Sequence, residues 1–157
     1  MRFQDQIVSA TQRAVESIFR TARAMPADKL SWKPMENGRT VLDQLQEVSS
    51  AASFFSAVLE KKADPKIPPE KFQELRQKRQ SWDTLDKCEA ACKENTDKLF
   101  GQIRALSDAD LGTKVKFDGN PREFTLADVA MFHQTHVNYH IGQINYIQTL
   151  YGDTDNH

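Results

Sequence analysis

The stretch "FTLADVAMFHQTHVNYHIGQINYIQTLYG", residues 124–152, decides how the rest of the chain is read. It carries three of the four histidines, with His136 and His140 four positions apart. Four residues is close to one helical turn, so the two imidazoles share a face and can address one ion. Thr125 with Asp128 is a capping pair that opens a helix, and Gly152 with Asp153 supplies the stop. Between them Leu126, Val129, Ala130, Val137, Ile141, Ile144 and Ile147 return at helical spacing, with His133, His136 and His140 on or beside the stripe. The expectation is one helix over residues 125–151 with its histidines turned inward.

Working outward, three more segments have the same period. Residues 3–24 carry Phe3, Ile7, Ala10, Ala14, Ile18 and Ala22, and Pro26 marks the end. Thr40 and Asp43 open a second long helix with Val41, Leu45, Val48, Ala52, Phe55 and Leu59 on one stripe. A third spans residues 81–106 through Leu85, Cys88, Cys92, Leu99, Ile103 and Leu106, interrupted halfway by Asn95 and Thr96. Residues 25–39 read as an extended connection with a short turn at 27–30, and Trp32 within it needs a core edge to cover. Residues 70–79 read as a short surface helix or an excursion. Residues 107–111 read as a capped turn, followed by loop with a hairpin around Asp118 and Gly119. Four amphipathic helices without a strong strand signal predict an all-α fold, a four-helix bundle whose two long connections permit crossovers.

Composition bounds the function. At 157 residues the chain fits one domain, taken as residues 1–152 with a short tail at 153–157. Hydrophobic residues make up 39% and charged residues 27%, and no run reaches the ~18 apolar residues of a membrane span. Charges at Arg2, Asp5, Arg13 and Glu16 break any leader-like apolar stretch, so a cytoplasmic location is expected. A net charge of −1 gives no field to attract phosphate backbones, which argues against nucleic acid as a partner. Cys88 and Cys92 match neither a disulfide framework nor paired CxxC zinc spacing, and they sit where small hydrophobes belong.

Two imidazoles in a bundle core need partners, and a divalent ion is one that suits them. Glu47 lies on the flank of the second helix's buried face, where a carboxylate is out of place unless paired, exposed at an edge or bound to metal. Glu47, His136 and His140 can form a site of two histidines and one carboxylate with open positions. His133, one turn earlier, is a second-shell donor or a substitute ligand, and Cys88 or Cys92 compete if their helix delivers them. Gly142 can let another helix or chain approach, Gln143 can brace a loop, and Tyr146 and Tyr151 read as packing residues.

Four segments carry a resemblance: "LSWKP" at 30–34, "RTVLDQLQEV" at 39–48, "LSDADLGTKV" at 106–115 and "FTLADVAMFHQTHVNYHIGQI" at 124–144. Together they resemble the DinB/YfiT-like family of metal-binding four-helix bundles, which includes bacillithiol and related thiol transferases. The resemblance implies a divalent ion, zinc or nickel, with His136 and His140 as the two ligands of the last helix. Where that family places a histidine on its second helix, this chain has Glu47, a competent but anionic ligand that moves preference toward harder ions. It also implies a homodimer; Phe3, Phe54 or Phe132 are spare apolar residues for an interface, and any one of them can equally fill the monomer core. A thiol transferase or hydrolase acting on a small thiol or electrophilic substrate is expected. The alternative is a non-catalytic helical protein of the same resemblance whose ancestral metal site has drifted, acting through dimerisation or protein interaction.

Overall fold

The computed structural model describes residues 1–155 and 157. Its helices are α1 (Phe3–Ala24), α2 (Ala27–Leu30), α3 (Val41–Lys61), α4 (Pro69–Gln80), α5 (Leu85–Ala105) and α6 (Leu126–Leu150). A 3-10 turn at Asp110–Gly112 precedes the strands β1 (Lys114–Lys116) and β2 (Glu123–Thr125). The termini follow the capping chemistry. Thr125 accepts from the Asp128 backbone N–H while the Asp128 side chain returns the bond, and Thr40 and Thr84 cap α3 and α5 in the same manner from their own hydroxyls. Thr84 therefore starts the third long helix four residues later than its apolar pattern suggests.

α1, α3, α5 and α6 form the bundle. α3 packs on α5 and α6, and α1 packs on those same two helices, so α1 faces α3 and α5 faces α6 across the diagonals. The chain crosses a diagonal twice, through residues 25–40 and 106–125, which are the two long connections. The second crossing contains the hairpin, antiparallel with Val115 opposite Phe124, and Gly119 takes the left-handed backbone (φ +78°) its turn requires. Trp32 in the first crossing stands edge-on to Tyr151 at 6.2 Å and closes one end of the bundle.

The core falls into two apolar clusters. One gathers Ile7, Val8, Ala52, Leu59, Leu99, Ile103, Leu126 and Val129. The other gathers Ile18, Phe19, Val41, Leu45, Val48, Cys88, Cys92, Val137 and Ile144. Between them, in sequence on all four helices, come buried polar residues: Thr11, Ser49, Asn95 with Thr96, and His133. Asn95 donates to the Ser49 carbonyl at 2.9 Å and ties α5 to α3. The interruption of the α5 stripe is thus a polar layer across the bundle. Phe3, Phe54 and Phe132 are partly buried and pack against the first cluster, filling the rim of the monomer core. α4 has no buried residue and leans on α3 through polar contacts. Among the described residues no helix is long and apolar enough to cross a membrane.

Candidate metal centre

α3 and α6 are neighbours, and their contact brings Glu47 to the two histidines 89 and 93 residues away in sequence. His136 Nε2 lies 3.3 Å from Glu47 Oε1 and 3.1 Å from His140 Nε2, and His140 Nε2 lies 3.9 Å from the same carboxylate oxygen. Donors bonded at about 2.0–2.2 Å to a tetrahedral or octahedral ion stand about 3–3.5 Å apart, so this spacing fits a single divalent ion. The donor types agree: two imidazole nitrogens and one carboxylate oxygen. His140 is buried, whereas the His136 and Glu47 side chains are 22% and 33% exposed, which leaves the outer side of the trio facing solvent.

Each of the three side chains has its own surroundings. His140 Nδ1 donates to Gln44 Oε1 at 3.0 Å, which puts its proton on that nitrogen and leaves the Nε2 lone pair pointing into the trio. Glu47 Oε2 pairs with Arg39 at 2.5 Å, freeing Oε1 for the histidines. His136 Nδ1 is buried without a partner, so that ring is oriented by the trio itself. Burial alone would raise the Glu47 pKa, but the Arg39 hydrogen bond and charge, joined by His136, outweigh it and hold the carboxyl below its ordinary value. Burial, with help from the neighbouring His136, pushes His140 down to about 4, so its ring is neutral at neutral pH.

Glu47 Oε1 and His140 Nε2 are acceptors, and His136 Nε2 becomes a third when its ring proton sits on Nδ1. A single proton, on His136 Nε2, can serve only one of the other two at a time. A cation satisfies all three.

His133 does not join them. Its ring is fully buried 6.2 Å from that of Phe55, neither nitrogen has a hydrogen-bond partner, and burial lowers its pKa to about 3. It stands three residues before His136, and that offset turns it into the polar layer of the core instead of toward Glu47. Cys88 and Cys92 are buried free thiols, pushed up to about 12 and about 11 chiefly by burial, and they take no part in the trio. Gln143 donates to the Tyr139 hydroxyl at 2.9 Å, a brace along the outer face of α6. Within the chain no helix stands close to Gly142: a Cβ built on it would meet nothing within 4 Å. Tyr146 is 62% exposed instead of packed.

Sequence reasoning missed Gln44, Arg39 and Arg79. Gln44 is a buried polar residue one turn before Glu47, the same kind of anomaly that marked Glu47 itself. Arg39 and Asp43 stand four apart as an ion pair at 2.6 Å, and Arg79 of α4 reaches Asp43 at 2.8 Å. Asp43 was readable only as a capping neighbour. Two surface clefts of about 560 and 310 Å³ flank the hairpin around Phe117 and Asp118, and neither is lined by a member of the trio.

The chain is similar to known proteins in two comparisons. Its residues 10–144 match the family model of the DinB superfamily. YfiT from Bacillus subtilis, described as a probable metal-dependent hydrolase with an unusual four-helix bundle topology, superposes with a TM-score of 0.75 at 15% identity, over 95% of this chain and 87% of YfiT. The DinB-like protein YjoA from Bacillus subtilis superposes with a TM-score of 0.69 at 18% identity, over 96% of this chain and 94% of YjoA. None of the curated proteins matches. The family match covers most of the chain and the fold agrees with it: this protein belongs to the DinB superfamily.

Proposed function

We propose that Glu47, His136 and His140 hold one divalent ion, zinc or nickel, and that the protein is a metal-dependent hydrolase or thiol transferase. The observation that carries this reading is the convergence of Glu47 Oε1, His136 Nε2 and His140 Nε2 with separations of 3.1–3.9 Å. A bound ion of this kind supplies Lewis acidity, lowering the pKa of water or a thiol and polarising a carbonyl. Gln44 orients His140, and the solvent side of the trio leaves room for nucleophile and substrate. The nucleophile comes from outside the chain, because Cys88 and Cys92 are buried and protonated at neutral pH. Water makes the reaction a hydrolysis, and a small thiol makes it a transfer to sulfur; in both, the substrate is an electrophile. The description of YfiT supports the hydrolytic branch.

The test is elemental analysis of protein purified without an affinity tag, alongside Glu47→Ala and His140→Ala. Stoichiometric zinc or nickel in the parent and its loss in both variants is expected. A parent that takes up no divalent ion even after incubation would overturn the reading.

The working form is a homodimer through α6. No Asp, Glu, Lys or Arg occurs between Asp128 and Asp153, in a chain that is 27% charged. Met131, Thr135, Tyr139, Gly142, Tyr146 and Leu150 follow each other at three- and four-residue steps, all exposed. A neutral, partly aromatic face can meet its own copy without like-charge repulsion.

A further inference from the structure

We infer that Arg39 is a positioning residue of the metal centre: it holds Glu47 Oε2 so that Oε1 alone is offered to the ion. The inference rests on the metal reading above. A free glutamate near a cation can turn either oxygen, or both, toward it, and its side chain has three rotatable bonds to lose. Here one oxygen is already taken. Arg39 reaches Glu47 Oε2 at 2.5 Å with one guanidinium nitrogen while its Nε pairs with Asp43 Oδ2 at 2.6 Å. Asp43 is in turn held by Arg79 at 2.8 Å through its other oxygen, and Arg79 also stands 3.9 Å from Glu47 Oε2.

The direction of this chain of contacts matters. Asp43 and Glu47 are one turn apart on α3, and Arg39 lies just before the Thr40 cap. The planar guanidinium bridges both carboxylates with two different nitrogens, so its own plane is fixed. Oε1 then faces His136 and His140, with Oε2 turned outward. Each side chain would then offer one atom to a bound ion, from a trio whose outer side faces solvent. α4 takes part although it buries nothing: Arg79 anchors Asp43, and Gln46 donates to the Trp82 carbonyl at 3.0 Å just beyond it.

Two physical effects of removing Arg39 have opposite signs, which makes the inference decidable. By charge alone, deleting a cation beside a metal site relieves repulsion and tightens binding of a divalent ion. By positioning, the loss frees Glu47 and weakens binding, by the 10- to 100-fold typical of residues that orient a ligand.

The experiment titrates Zn²⁺ and Co²⁺ into the metal-free full chain and its Arg39→Gln and Arg39→Lys variants, with the visible spectrum of bound Co²⁺ as a second readout and thermal unfolding as a check on folding. We expect Arg39→Gln to bind both ions 10- to 100-fold more weakly with an altered Co²⁺ spectrum, and Arg39→Lys to recover part of the affinity. Unchanged or tighter binding with the parent spectrum in Arg39→Gln would overturn the positioning role while leaving the metal centre intact. A parent that binds neither ion would overturn the metal reading, and this inference with it. Should Arg39→Gln fail to fold, Asp43→Asn removes the anchor of Arg39 and leaves both Arg39 and Glu47 in place. It is expected to weaken binding in the same direction, and parent-like binding and spectrum would overturn the role.

Discussion

Gln44 Oε1 accepts a hydrogen bond from His140 Nδ1 at 3.0 Å in a buried contact between α3 and α6, and this one bond decides which nitrogen of His140 faces Glu47 and His136. Gln44→Leu removes the acceptor and leaves a buried N–H without a partner, at a cost of about 1–3 kcal/mol. It also frees the ring to change tautomer. We expect Gln44→Leu to lower thermal stability and to weaken metal binding about 10- to 100-fold. Titration with Zn²⁺ checks the second effect, and a variant that binds as the parent does would show that His140 is fixed by packing alone.

An ion that binds only the folded chain stabilises it in proportion to its occupancy. At a free ion concentration 100 times Kd this is about 2.7 kcal/mol, which for a chain of this size is a rise in Tm of about 5–10 °C. Thermal unfolding with and without Zn²⁺ should show that rise in the parent, its reversal by a chelator, and no rise in His140→Ala.

The four long helices were legible because their apolar stripes and threonine caps are local signals, complete within each segment. The trio was legible for a different reason: Glu47 broke a buried pattern, and His136 and His140 broke another at a spacing that a helix converts into proximity. What supports the trio was not. Arg39, Asp43 and Arg79 sit at half-exposed positions where charges are ordinary, and only the packing of α4 against α3 gives them a common target. His133 shows the reverse error. Its spacing of three from His136 suggested a shared task, but a helix turns about 60° short of a full circle over three residues. That rotation carries the ring into the polar layer of Thr11, Ser49 and Asn95.

That placement makes His133 a source of acid sensitivity. Its pKa is about 3 in the folded chain against an ordinary 6.5, because burial excludes the charged form. Below pH 6.5 the unfolded chain takes up a proton that the folded chain refuses. Stability is therefore full above pH 6.5 and falls as the pH drops toward 3, by up to about 1.4 kcal/mol per unit. Replacing the ring by an apolar side chain, His133→Leu, also removes two buried nitrogens without partners. Urea unfolding of both proteins in chelator, at pH 8 and pH 5, should show the variant gaining about 2 kcal/mol relative to the parent on going to pH 5. An equal difference at the two pH values would mean that the ring is hydrated or charged in the folded protein.

Cys88 and Cys92 give a direct readout of the second apolar cluster. Both thiols are fully buried, and burial pushes their pKa values up to about 12 and about 11. A thiol reagent at pH 8 should label neither in the folded protein on the timescale of minutes and both at once in denaturant. Rapid labelling of the native chain would place this end of α5 in exchange with an open form.

The proposed homodimer is open to a substitution that separates association from folding. Gly142 lies at the centre of the charge-free face of α6, exposed, and a Cβ built there meets nothing within 4 Å in the monomer. In a helix interior any ordinary residue is favoured over glycine by about 0.5–1 kcal/mol, so Gly142→Arg should leave the fold intact and even raise its intrinsic helix stability. At an α6–α6 crossing the same arginine adds bulk and sets two like charges against each other in a desolvated contact. Sedimentation velocity at micromolar concentration should then show a parent dimer and a Gly142→Arg monomer whose Tm differs only by the loss of dimer stabilisation. A parent that sediments as a monomer, or a variant that stays dimeric, would remove α6 as the interface, and the exposure of Tyr139 and Tyr146 would then call for a different ligand on that face.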